Sequence, residues 1–249
     1  MSNTRDLKAT VALVTGAGSG LGRATSRELA AHGAHVLAAD IDVDGAKATV
    51  EMVDRDGAGS AEAIELDVTD RVAVDEVMRS ASATYGERFD CLVSNAGTDR
   101  GDDLVNVEDE AWHRVFGVNV HGPMYLARGF VRHLQRLDST RTGDIVCIVS
   151  ISALTVGAGA GAYNSSKAAM LKLAEVMQTE AREQHWPARV SILNPAAMNT
   201  PMMEQWQLAE DRMMDPQIVA GLVRTAITLP PEVVLQNAVV TLRNEYYPR

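Results

Sequence analysis

Val11-Ala12-Leu13-Val14-Thr15-Gly16-Ala17-Gly18-Ser19-Gly20-Leu21-Gly22 is the stretch that decides the fold. Its first five residues form an apolar run of the length and β-branched character of a buried strand, and glycines then crowd the turn that follows. A helical pattern starts at once, with Leu21, Ala24, Leu29 and Ala30 on its small apolar face. His35-Val36-Leu37-Ala38-Ala39 reads as the next strand and ends in Asp40. Glycines permit a tight turn and let the backbone approach a pyrophosphate, whose charge is favoured by the free amides of a helix N-terminus. An acid about twenty positions further on suits a ribose hydroxyl. The unit therefore predicts a dinucleotide site, with Gly16, Ser19, Gly20, Leu21 and Gly22 at the phosphates and Asp40 and Ile41 at the ribose. Asp40 would accept from a 2′-hydroxyl and repel a 2′-phosphate. Neither Ser19 nor Ile41 brings a cation to neutralise one, so the expected cofactor is NAD and not NADP.

A second constellation lies in Tyr163-Asn164-Ser165-Ser166-Lys167, at the start of a helical pattern, with Ser150 thirteen residues before Tyr163 at the end of a strand-like run. Residues four apart share a helix face, which brings the Lys167 ammonium beside the Tyr163 phenol. A phenol with a pKa of about 10 is a poor acid or base at neutral pH. A nearby cation stabilises the phenolate, so Tyr163 is expected to titrate lower than usual and to serve in general acid-base work.

The glycine spacing, together with four further motifs in order, resembles the short-chain dehydrogenase/reductase family from about Val11 to about Met202. The motifs are Asp67-Val68, Asn95-Ala96-Gly97 after the strand Phe89 to Val93, Asn119 within Val118-Asn119-Val120, and the trio Ser150, Tyr163 and Lys167. The resemblance implies a Rossmann fold: one α/β domain over 1–249, with a doubly wound, mostly parallel sheet of about seven strands. It implies that Asp67 and Val68 lie at the adenine ring, and that Asn95, Ala96, Gly97, Pro195 and Thr200 contact the cofactor. It further implies a catalytic set of Asn119, Ser150, Tyr163 and Lys167. Tyr163 would remove the alcohol proton as hydride passes to the nicotinamide, and Ser150 would hold the substrate oxygen. Lys167 would bind the nicotinamide ribose, and Asn119 would hold a water linking Lys167 to solvent. Two positions depart from the family pattern. Ser94 stands where a second Asn is usual, and Ala196 follows Pro195 where Gly is usual, which restricts positive φ in a loop expected against the nicotinamide.

Composition agrees with a single domain. A chain of 249 residues and 26.8 kDa is long enough for a substantial core, and strand and helix patterns alternate without repeat, linker or low-complexity stretch. No N-terminal signal pattern is evident and no apolar run approaches membrane-spanning length, so a soluble, cytoplasmic protein is expected. A net charge of −10 argues against a nucleic-acid surface. Cys91 and Cys147 fall in strand patterns and read as buried apolar residues. The six histidines show no metal-ligand spacing, so no metal is expected, and His121 and His133 read as surface or helix-face residues.

The expected reaction is NAD-dependent interconversion of a small secondary alcohol and its ketone. The alternatives are an NADPH-dependent carbonyl or 3-oxoacyl reductase, which Asp40 opposes, and a non-catalytic dinucleotide-binding regulator. A regulator would have no use for Ser150, Tyr163 and Lys167 together. A short substrate lid is expected around 198–215, where Met202, Met203, Trp206, Met213 and Met214 offer adaptable apolar contact, with Ser152 and Leu154 as further pocket-lining candidates. Leu235 to Leu242 reads as a final edge strand, covered in a homodimer or homotetramer of the kind the family forms. The tail Tyr246-Tyr247-Pro248-Arg249 is expected at that interface, with Arg249 a candidate to reach a neighbouring site.

Overall fold

The computed structural model describes residues 5–57, 59–138 and 141–244. Val11–Thr15 (β1) is buried along its whole length, as a strand covered on both faces must be. His35–Asp40 (β2) and Ser60–Glu65 (β3) lie on one side of it. Phe89–Ser94 (β4), Gly143–Ile148 (β5), Ala188–Pro195 (β6) and Ala238–Val240 (β7) lie on the other. The sheet runs β3-β2-β1-β4-β5-β6-β7 and every pairing is parallel. Strand order reverses between β1 and β4. In such sheets the crevice outside the carboxyl ends at the reversal is where ligands bind.

Helices cover both faces. Gly20–Ala31 (α1), Val43–Asp56 (α2) and, from the far end of the chain, Pro216–Thr228 pack on one side around Leu29, Val36, Val53, Val219 and Val223. Arg71–Tyr85 (α3), Asp109–Phe116 (α4), Gly122–Leu134 (α5) and Gly161–Glu183 (α6) occupy the other. There Phe89 and Phe130 meet edge to face at 5.2 Å among Val74, Met78, Leu126 and Met170. With Pro216–Thr228 as α7, three helices begin at an aspartate whose side chain accepts from a first-turn amide: Asp42, Asp70 and Asp215. Each such cap contributes about 1 kcal/mol. Cys91 and Cys147 are fully buried in β4 and β5, as their strand patterns indicate. Burial pushes both thiols up, Cys147 to about 12.

Two expectations are corrected. His133 is buried, not on the surface: Nδ1 meets Ser82 Oγ at 2.7 Å and Nε2 meets the Phe89 carbonyl at 2.9 Å, and burial lowers its pKa. The last strand is shorter than Leu235 to Leu242. Gln178 Nε2 donates to the Gln236 carbonyl and Asn194 Nδ2 to Asn237 Oδ1, so side chains take up groups ahead of β7, while Leu235 and Leu242 turn onto the core. Ala196 avoids positive φ, in keeping with the restriction its Cβ imposes, and its amide donates to the Val240 carbonyl at 2.8 Å. The tail Tyr246 to Arg249 lies outside the described residues.

At the amino ends of the central strands, opposite the crevice, charges are gathered under the sheet. Asp90 pairs with Arg5 and with Arg141 (2.6 Å), and Asp144 pairs with Arg5 and with Arg189 (2.8 Å). Arg189 Nη1 also donates to the carbonyls of Leu229 and Pro230 at 3.0 and 2.7 Å, closing the C-terminal end of α7. Burial outweighs the arginines and pushes both aspartates up to about 6. No helix among the described residues is long and apolar enough to cross a membrane.

Candidate active site

The carboxyl ends of the strands border one cavity of about 890 Å³, a size that takes cofactor-scale ligands. Its floor on one side is the glycine turn. Gly16 and Gly20 have φ of +68° and +47°, and a Cβ at Gly22 would lie 2.0 Å from the Gly16 carbonyl oxygen. No side chain fits between turn and helix. Thr15 Oγ1 accepts from the amides of Asn95 and Ala96, both at 3.1 Å, and Asn95 Nδ2 donates to the Thr15 carbonyl at 2.8 Å, which welds β4 to the turn. Ser19 makes no side-chain cap on α1, so the first amides of that helix stay free for an anionic ligand. Arg23, which carried no signal in the sequence, ties the far side of the turn to α2 through the Gly18 carbonyl and Thr49 Oγ1.

Asp40 closes the end of β2. Oδ2 accepts from the Gly18 amide at 2.7 Å and Oδ1 from the Asp42 amide at 2.9 Å, so the carboxylate is fixed against the turn, with exposed Ile41 beside it on the cavity wall. Asp67 and Val68 follow β3 along the same wall, Asp67 Oδ1 held by the Thr69 amide and hydroxyl. Asn95, Ala96, Gly97, Pro195 and Thr200 complete it. Free helix amides, a turn that excludes side chains and a fixed acid form a donor and acceptor set that fits a dinucleotide.

At the other end of the cavity Ser150 leaves β5 and α6 presents Tyr163 and Lys167 on successive turns. Ser150 and Tyr163 border the cavity together, the serine hydroxyl close enough to favour the ionised phenol. Lys167 is 4% exposed; Nζ donates to the Ile148 carbonyl at 3.3 Å and stands 5.6 Å from the Tyr163 ring centroid. The expected lowering of the phenol is overturned here. Desolvation pushes Tyr163 up to about 12, opposed by the Ser150 hydrogen bond and assisted by the charge of Asp99. Burial brings Lys167 down to about 8. The ammonium stands over the ring, and no cation among the described residues offsets the burial of the phenol.

Asn119 sits in a π-turn, Gly117–His121, between α4 and α5, behind the wall and not on it. Oδ1 accepts from the Thr98 amide, and Nδ2 donates to the Thr98 carbonyl and to Ser166 Oγ, each at 2.9 Å. Its side chain clamps the segment after Gly97 to α6; a Cβ at Gly97 would lie 3.5 Å from both Asn119 Oδ1 and Lys167 Nζ. Ser152 lines the cavity and donates its amide to Ser150 Oγ at 3.1 Å. Leu154 is displaced from its expected place: it packs on the core, and Thr155 and Val156 line the cavity instead.

The segment expected as a lid consists of two 3₁₀ turns, Pro201–Trp206 and Glu210–Arg212. Its ends are tied by the Asn199 amide on the Met214 carbonyl and the Met214 amide on the Ala197 carbonyl, both 2.8 Å. Met214 is buried at the base, while Met202, Met203 and Trp206 reach the cavity. Trp206 packs its ring on Gly101, where a Cβ would come within 2.9 Å, and its Nε1 donates to Asp99 Oδ2 at 3.0 Å. Asp99 was missed in the sequence because an acid in a Gly- and Asp-rich loop gives no periodic signal.

A family model described as short chain dehydrogenase matches residues 10–211. The 1-deoxy-11-beta-hydroxypentalenate dehydrogenase of Streptomyces avermitilis is 39% identical over 79% of this chain and 71% of its own length. A Beutenbergia cavernae structure, assigned as an NAD(P)-dependent gluconate 5-dehydrogenase with NADP at low occupancy, is 28% identical with a TM-score of 0.84 over 94% of this chain and 96% of that one. The 3-ketoacyl-(acyl-carrier-protein) reductase of Brucella melitensis, complexed with NADH, is 26% identical with a TM-score of 0.83 over 94% and 97%.

Proposed function

We propose that this chain, which belongs to the short-chain dehydrogenase family, interconverts a small secondary alcohol and its ketone with NAD as hydride acceptor. The observation that carries the reading is the joining of two sites in one cavity: the glycine turn with Asp40 at one end and Ser150, Tyr163 and Lys167 at the other. Gly16, Ser19, Gly20, Leu21 and Gly22 would hold the pyrophosphate, Asp40 and Ile41 the adenosine ribose, and Asp67 and Val68 the adenine. Asn95, Ala96, Gly97, Pro195 and Thr200 would contact the nicotinamide half together with Tyr163 and Lys167. When bound, the nicotinamide supplies hydride chemistry.

The protein's own residues manage the proton. Tyr163 Oη takes it from the alcohol, or returns it to the ketone, while the Ser150 hydroxyl fixes the same oxygen by a hydrogen bond. Phenolate formation from a resting value of about 12 is uphill at neutral pH. It is assisted by the Ser150 hydrogen bond, which favours the ionised phenol. Asn119 positions the segment after Gly97 and does not itself touch the cavity. Asp40 supports NAD, since a fixed carboxylate at the end of β2 would repel a 2′-phosphate and neither Ser19 nor Ile41 provides a cation. The enzyme proposed is a cytoplasmic homodimer or homotetramer.

The test is a panel of secondary alcohols, polyols and the corresponding ketones, run with NAD and with NADP and followed by absorbance of the reduced cofactor. Turnover of at least one alcohol with NAD, at higher kcat/KM than with NADP, is the expected result. Absence of turnover with either cofactor, in protein that still binds NADH, would overturn the enzymatic reading in favour of a dinucleotide-binding regulator.

A further inference from the structure

Asp99 places a carboxylate at the reacting end of the cavity. It stands two residues after Gly97 on the cavity wall, and its charge acts on both Tyr163 and Lys167. Oδ2 accepts from Trp206 Nε1, but Oδ1 is shut off from solvent and has no hydrogen-bond partner among the described residues. Burial raises the pKa of this carboxyl, while the Trp206 and Arg100 hydrogen bonds and the Lys167 charge favour its ionised form without giving Oδ1 a partner. A carboxylate offers about four acceptor positions, and a half-buried one with an oxygen that lacks a partner is costly to leave so.

Packing explains how the group is held. The indole of Trp206 lies flat on Gly101 and fixes Oδ2, so the carboxylate is anchored by the lid and not free to turn out to water. Asp99 itself borders the cavity, and the oxygen fixed by Trp206 keeps acceptor capacity for a second hydrogen bond. Thr155, Val156, Met202 and Met203 line the same cavity.

Resting on the oxidoreductase reading above, we propose that Asp99, oriented by Trp206, is a specificity-determining residue that accepts a hydrogen bond from a second hydroxyl of the substrate, one or two carbons from the reacting carbinol. The substrate class is thus a diol or polyol, or the matching hydroxyketone. A hydroxyl suits the site better than an ammonium group, because Lys167 already supplies the compensating cation. An anionic substituent at this point would face the Asp99 charge directly. A site with a buried acceptor also rejects analogues lacking the donor far more strongly than an apolar pocket rejects a change of one methylene.

The experiment compares matched pairs, 2-butanol with 2,3-butanediol and 2-pentanol with 2,4-pentanediol, in wild type and in Asp99→Ala and Asp99→Asn. NADH binding, read by fluorescence, verifies that each variant is folded and loaded. In wild type the diol is expected to exceed its mono-alcohol by 30-fold or more in kcat/KM in at least one pair. In Asp99→Ala the ratio should fall to within threefold of unity, mainly through a higher KM for the diol, with Asp99→Asn between the two. A structural role alone would depress both members of a pair together and keep the ratio. Wild-type turnover with a ratio near unity, a ratio unchanged in Asp99→Ala, or a preference for 3-amino-2-butanol over 2,3-butanediol would each overturn the proposal while leaving the oxidoreductase reading intact. Failure of wild type to oxidise any member, or to reduce the corresponding ketones, with either cofactor would instead strike at that reading.

Discussion

Removing one oxygen atom at Tyr163 separates proton transfer from ring packing. Tyr163→Phe keeps the ring against Lys167 and deletes only the group that Ser150 contacts, so turnover should fall at least a thousandfold, with the NADH dissociation constant within threefold of wild type. Single-turnover absorbance and fluorescence titration measure the two quantities separately. Turnover retained within tenfold would remove Tyr163 from the mechanism. Asp40 poses a different question at the same scale, since its carboxylate is already bound to two amides. Asp40→Ala combined with Ile41→Arg deletes the repulsion and adds a planar phosphate partner. The NAD/NADP ratio of kcat/KM should move toward NADP by about two orders of magnitude, roughly the effect of a well-placed charged hydrogen bond. An unchanged ratio would place Asp40 away from the ribose.

At the level of elements, the turn between β1 and α1 tolerates no methyl group at its third contact. Gly22→Ala would drive Cβ into the Gly16 carbonyl, and the clash involves backbone on both sides, so it cannot be relieved by a rotamer change. NADH affinity should drop tenfold or more, or the protein should lose thermal stability outright; calorimetry with and without NADH reads both, and a variant unaffected in both would deny the turn its role. This unit was legible in the sequence because its constraints are local: an apolar run, glycines at fixed offsets and an acid at the end of the next strand. The α6 pair was legible for the same reason. What escaped reading depends on tertiary placement. Asp99 gains meaning only when Trp206, far along the chain, lands on Gly101. Asn119 was named, but its clamp on Thr98 and Ser166 is set by a π-turn that no periodicity announces. His133 looked like one more polar helix residue, because nothing local says that Ser82 and the Phe89 carbonyl will enclose it. Leu154 was assigned to the cavity from its loop alone, and the fold spends it on the core.

Across the whole molecule the sheet has two unlike ends, a ligand cavity at the carboxyl ends of its strands and a buried charge cluster at the amino ends. Asp90 and Asp144 hold their protons more tightly in the folded protein, near pH 6, than in the unfolded chain. Their contribution to stability is therefore fully present below the ordinary carboxylate range and is lost as pH rises through about 6. The melting temperature should be higher at pH 5 than at pH 7.5. Asp144→Asn, which cannot titrate, should flatten that slope while altering the net charge by a single unit; an identical slope in the variant would assign the effect to overall charge. The two cysteines of β4 and β5 carry a separate consequence. Thiol reagents attack only the thiolate, and both thiols sit at the centre of the sheet with their ionisation suppressed. Native protein should thus be silent to such reagents, and modification should proceed only through molecules in which the central strands have parted. Labelling at high reagent concentration then becomes a clock for global opening, both sulfurs reacting together with one rate constant equal to that of unfolding. NADH should slow the clock, and a single sulfur reacting early would reveal a local opening of one strand instead.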